Sequence, residues 1–201
     1  MPDLREALSE IHSIRASVSR LIEFRGYGPT TVGITGLLAI VVASAQQLRI
    51  VDSSHYLALW IGTAFVSLAL IVIETIVRSR RIHSFLAMQM VHSALEQFLP
   101  PIVAGLLLTA VMARTAPQNL WMLPGLWQVL FSLGVFASCR FLPRPIFWTG
   151  VWYLTTGMSC LAFGHADWAF SPWEMGVSFG VGQLLVAAVL QFGYRQRDEA
   201  N

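Results

Sequence analysis

The amino-acid sequence predicts an all-α, polytopic membrane protein with six transmembrane helices and an amphipathic N-terminal helix. Three observations carry this. The 201 residues are 55% hydrophobic and only 12% charged, where soluble domains run near 25% charged. The apolar residues fall in long blocks, without the alternation of a strand or the narrow stripe of a soluble helix. Charged residues cluster between those blocks, and all thirteen basic residues are arginines.

The missing lysine excludes a P-loop, a Schiff-base lysine and a serine-lysine nucleophile pair, each of which needs an amine. A net charge of +2 gives no footprint for nucleic acid. Two cysteines, Cys139 and Cys160, are too few for a disulfide framework.

Residues 3–24 are charged throughout, so they do not read as a signal peptide. Leu4, Ala7, Ile11, Ile14, Val18 and Leu21 follow a 3-4-3-4-3 spacing that places one apolar seam along a helix. The seam fits two uses: an amphipathic helix lying on its own bundle or on the membrane surface, or a short coiled coil joining protomers or a partner protein. Gly26-Tyr27-Gly28-Pro29 ends the helix, because glycine accepts a left-handed cap and proline blocks continuation. Residues 1–28 are therefore an amphipathic helix and hinge, 29–194 the membrane domain and 195–201 a tail.

Six spans are expected near 30–48, 56–77, 96–114, 120–139, 146–164 and 173–193, each close to the ~20 residues that cross a hydrocarbon core. Arg5, Arg15, Arg20 and Arg25 precede the first span, and Arg78, Arg80 and Arg81 follow the second. Arg140 and Arg144 follow the fourth, and Arg195 and Arg197 the sixth; only Arg49 and Arg114 fall on the other side. By the positive-inside rule both termini are cytoplasmic. Trp60, Trp121, Trp168 and Trp173 then sit at outer ends and Trp148 at an inner end, as interfacial indoles do. Cys139 belongs to the inner end of the fourth span and Cys160 to the outer half of the fifth, too far apart to pair.

Small residues mark close helix packing. Gly176, Gly180, Gln183 and Ala187 share one face of the sixth span, as Gly36, Ala39 and Ala43 do in the first. The two halves of the chain share no motif, so an inverted repeat is not expected.

Polar positions are few. Gln128 and Gln183 lie nine and ten residues into the fourth and sixth spans, which predicts a midplane layer that Thr155 and Thr156 reach from the fifth. Such a layer lines a substrate path or glues helices together, and both readings require the amides to face the interior. Asp52, His55, His165, Asp167 and Glu174 are ligand types on the outer side, but their spacing matches no zinc motif, so no metal is assigned. No two histidines face each other within the bundle to hold a haem. No cofactor is expected, and no HExxH, GxSxG, CxxC or glycine-rich phosphate loop occurs.

The stretch Glu74–Pro101 holds two of the five histidines and leaves the second span through three arginines. Glu74 has Arg78 at i+4, which makes either a snorkelling ion pair or one side of a cytoplasmic gate. His92 and Glu96 are also i, i+4, either the wet face of an interfacial helix or a proton-responsive pair at the same mouth. Pro100-Pro101 frees backbone carbonyls there.

RGYGPTTVGITGLLAI, LPGLWQVLFSLGVFASCRFLPR and SPWEMGVSFGVGQLLVAAVL together resemble a group of uncharacterised bacterial inner-membrane proteins with six spans. The resemblance implies the fold and carries no activity and no site residues. The sequence therefore points first to a non-enzymatic membrane protein that works by assembly. The alternative is a small permease or channel using Glu74, His92, Glu96, Gln128 and Gln183.

Overall fold

A computed structural model describes residues 28–48, 53–82, 85–139, 145–164 and 170–198. All regular structure among them is helical, and the chain is an all-α membrane protein. The apolar seam from Leu4 to Leu21 lies outside the described residues.

Helix α1 spans Pro29–Gln47, with Gly28 extended as its N-cap and proline at the first position, where no N–H is needed. Helix α2 spans Ser53–Ile82 and α3 Phe85–Thr115. A 3-10 turn over Pro117–Met122 leads into α4, Leu123–Ser138; α5 is Ile146–Phe163 and α6 is Pro172–Asp198. Five segments are long and apolar enough to cross a membrane: Pro29–Gln47, His55–Val77, Glu96–Thr115, Pro117–Ser138 and Pro172–Phe192. The expected fifth span corresponds to α5, which has 18 residues, or ~27 Å of helix.

The connection between the second and third helices is shorter than the gap between the expected spans 56–77 and 96–114 implies. Helix α2 continues through the three arginines to Ile82, and α3 begins at Phe85. His92, Glu96 and the membrane segment thus share one continuous helix, with Pro100 and Pro101 inside it. The prolines lack the N–H groups that would bond the carbonyls of Glu96 and Gln97. Neighbouring packing holds the helix on course, because Phe98 and Pro101 fill the notch left by Gly134 on α4.

Two close-packed pairs form the frame, α1 with α6 and α4 with α5. The two small-residue faces read from the sequence are partners of each other. A Cβ on Gly36 would lie 3.0 Å from the Gly180 carbonyl and 3.0 Å from Gln183 Cβ, and Gly176 meets Ala43 in the same antiparallel register. The α4–α5 pair uses Gly125 and Gly157, each facing the other's carbonyl, a notch the sequence reading missed. Without a hydrophobic force between helices in lipid, close backbone approach is what yields contact energy.

Aromatic rings tie the pairs together. Phe131 on α4 meets Tyr153 on α5 at 4.7 Å, Phe179 on α6 at 5.4 Å and Phe98 on α3 at 5.4 Å between centroids. A second core of Ala39, Ala43, Tyr56, Leu57, Trp60, Leu123 and Met175 closes the end where α6 begins. Trp60 therefore turns inward, at 3% exposure, instead of serving as an interfacial anchor; Trp148, at 70%, is on the surface.

Candidate functional site: the space behind α2

Helix α2 touches the bundle near its two ends and stands away from it in between. At the first end the Trp60 indole N–H donates to Gln46 Oε1 of α1 at 3.0 Å. The Tyr56 hydroxyl donates to the Ser171 carbonyl at 3.2 Å. Phe170 packs edge-on against the Tyr56 ring at 5.3 Å and is held at φ 63°, a left-handed conformation unusual for a side chain of its size. At the other end Thr75 is buried and the Glu74 carboxylate lies against Gly28, the N-cap of α1.

Between these attachments lies a cavity of about 360 Å³, walled by α1, α2, α3, α4 and α6, with Ile146 at the start of α5. That is within the range of small-molecule sites. Its α2 wall carries Thr63, Ala64 and Ser67, and the opposite wall carries Trp127, Phe131, Phe179 and Gln183. The threonines add little polarity, because the hydroxyls of Thr35, Thr63 and Thr109 donate to Val32, Leu59 and Gly105 carbonyls of their own helices. Trp127 donates its indole N–H to Thr109 Oγ1 at 2.9 Å. The space is an apolar, aromatic-rich chamber.

Of the residues singled out from the sequence, Gln183 lines this chamber and Gln128 does not. Gln128 is fully buried between α5 and α6, where its Nε2 donates to the Glu174 carbonyl at 3.0 Å and approaches Cys160 Sγ at 3.6 Å. Gln128 Oε1 and Glu174 Oε2 are buried without a hydrogen-bond partner. Both amides face the interior, but not at one depth. Gln128 is level with Glu174, and Gln183 is nine residues further along α6, or ~13 Å. A single polar layer is therefore absent. Equal residue counts do not give equal depth because α4 packs so that Gln128 meets the first turn of α6, at the Glu174 carbonyl.

Thr155 and Thr156 do not complete such a layer. Their hydroxyls bond carbonyls of their own helix, and Thr155 is exposed. On the other side of the molecule Glu96 is exposed, and the side chain of His92 lies outside the description. Glu74 is half-buried and committed to the start of α1.

Of the proposed metal-ligand types, His55 is exposed and Glu174 half-buried, and Asp52, His165 and Asp167 lie outside the described residues. No group of three ligand types gathers among the described residues. Cys139 and Cys160 are both free thiols.

One polar residue of the chamber was missed by sequence reading. Ser67 lines it from α2, and among the described residues neither Ser67 nor Gln183 makes a side-chain hydrogen bond. A serine within an apolar helix looks like any other, so only the chamber distinguishes it. Comparison of the chain with protein-family models, curated proteins and solved structures gives no match.

Proposed function

We propose that the protein is a non-enzymatic integral protein of the bacterial inner membrane, with both termini cytoplasmic, that acts by assembly through its helices. The supporting observation is an unused notch on α2. Ala58, Gly62 and Ala69 recur on the exposed face of that helix, and a Cβ on Gly62 would meet nothing within 4 Å. Small faces elsewhere are consumed internally: Gly36 and Gly176 between α1 and α6, Gly125 and Gly157 between α4 and α5.

A small-xxx-small face suits its own copy, since a two-fold axis along the membrane normal sets Gly62 against Gly62. A second copy is therefore the assigned partner. The N-terminal seam from Leu4 to Leu21 would extend the same contact in the cytoplasm. The permease reading has the chamber behind α2 in its favour. Its apolar walls suit a resident ligand better than a polar path.

Gly62→Ile tests the proposal without disturbing the fold, because no neighbour is displaced. The wild type is expected to run as a dimer in mild detergent or lipid nanodiscs, and the variant as a folded monomer with unchanged helical content by circular dichroism. A monomeric wild type, a variant that still dimerises, or a mixed complex with another protein would overturn the assignment. Removing residues 1–24 measures the contribution of the seam by the same readout.

A further inference from the structure

Two polar side chains of the chamber, Ser67 on α2 and Gln183 on α6, make no side-chain hydrogen bond among the described residues. The Tyr56–Ser171 hydrogen bond sets α2 and α6 in register. Ser67 follows Tyr56 by eleven residues and Gln183 follows Ser171 by twelve, so at ~1.5 Å per residue the two lie within about one helical turn of the same depth. Both helices run in the same direction across the membrane, which puts the hydroxyl and the amide at one depth. That depth is near the middle of a ~30 Å hydrocarbon core.

Unpaired polar groups are costly there, because no water is at hand to bond them. The other hydroxyls on the wall avoid the cost by bonding their own helices, as Thr35, Thr63 and Thr109 do. A lipid tail would fill the volume but leaves both groups unpaired, since its ester carbonyls stay at the interface.

We infer that the chamber binds a neutral, membrane-dissolved molecule with an aromatic or hydrocarbon body and one carbonyl or hydroxyl group, held between Ser67 and Gln183. The amide donates to a carbonyl, or accepts from a hydroxyl, and the serine hydroxyl can do either. The rings of Trp60, Trp127, Phe98, Phe131 and Phe179 supply faces and edges for the body of the ligand. Entry is sideways from the bilayer, past the middle of α2, whose wall there is built from Thr63, Ala64 and Ser67. The inference concerns a ligand of one chain and does not depend on dimer formation.

The probe is 4-decylbenzophenone, which has an aromatic body, a ten-carbon chain and one carbonyl, and which attaches to nearby C–H bonds under ultraviolet light. Full-length protein in nanodiscs is titrated with the probe, irradiated and mapped by peptide mass spectrometry. Saturable labelling is expected within residues 61–71 and 179–190. Ala64→Phe, which fills the chamber, should lower it at least about fivefold. Ser67→Ala with Gln183→Leu should weaken half-saturation about five- to thirtyfold, as loss of one or two hydrogen bonds of ~1 kcal/mol does. The carbonyl-free analogue 4-decyldiphenylmethane should compete worse than the probe by a similar factor. Labelling spread evenly over lipid-facing helices, or unchanged in Ala64→Phe, would overturn the site. Equal competition by the analogue, or a double variant that binds normally, would overturn the hydrogen-bonding assignment. Gly62→Ile, on the opposite face of α2, should label like the wild type.

Discussion

Glu74 Oε1 occupies the space that a Cβ on Gly28 would need. The carboxylate of α2 thus sits at the start of α1, whose N-cap residue has no side chain to satisfy the first amides. A negative charge is favoured at that position by the helix dipole, by about 0.3–1 kcal/mol and more where partly buried. The contact ties the second end of α2 to α1.

Gly28→Ala is expected to destabilise the protein by about 1–2 kcal/mol, because the new methyl displaces the carboxylate. The cost should largely vanish in a Glu74→Ala background, where nothing remains to collide with. A double-mutant cycle read by thermal unfolding in detergent checks this coupling. Additive losses would show that the two residues do not share the contact.

Along the α1–α6 seam the same kind of substitution should give opposite results at two glycines. A Cβ on Gly33 would lie 3.6 Å from Ala187 Cβ, an ordinary contact, whereas one on Gly176 would overlap Ala43 Cβ. Gly33→Ala should be neutral or stabilising by up to about 1 kcal/mol through helix propensity. Gly176→Ala should cost about 1–3 kcal/mol by overpacking. Melting temperatures of the two single variants, measured side by side, decide it.

Gln128 has one bonded end and one orphaned end. Its Nε2 reaches the Glu174 carbonyl, which also accepts from Ser178 Oγ at 2.6 Å, while its Oε1 is buried without a partner. Gln128→Met keeps the volume, loses one shared bond and removes the orphan, so stability should stay within about 1 kcal/mol of the wild type. Gln128→Ala leaves a hole between α5 and α6 and should cost at least about 2 kcal/mol. A methionine variant as unstable as the alanine variant would show that the amide itself holds the two helices.

Tyr153 stacks its ring over Gly182 and buries a hydroxyl that has no partner among the described residues. Tyr153→Phe should therefore raise stability by about 1 kcal/mol. At the size of this protein that is a melting-temperature gain of roughly 2–4 °C. A fall instead would mean that the hydroxyl is satisfied in the membrane.

Much of the fold was legible in advance because it depends on local composition. Long apolar blocks set the helices, Gly28-Pro29 set where α1 starts, and the small faces of Gly36, Ala39, Ala43, Gly176 and Gly180 identified surfaces that would pack closely. How far the second and third helices extend past the membrane was not legible. Arg78 to Arg81 look like a loop by charge, yet a helix can carry them beyond the membrane as readily as a loop can. Pro100 and Pro101 fall inside the expected third span and stay inside a continuous helix, packed on Gly134.

The sequence by itself determined that this chain lives in a membrane, which segments are helical and which side chains are polar enough to matter. Whether two polar residues share a depth was decided only in three dimensions. Gln128 and Gln183 match by count, yet Gln128 meets α6 at Glu174, nine residues before Gln183, while Ser67 and Gln183, unrelated in sequence, line one cavity. Helix rise and hydropathy are properties of single segments. A chamber exists only in how the segments are fastened, here at the two ends of α2 with its middle left standing free.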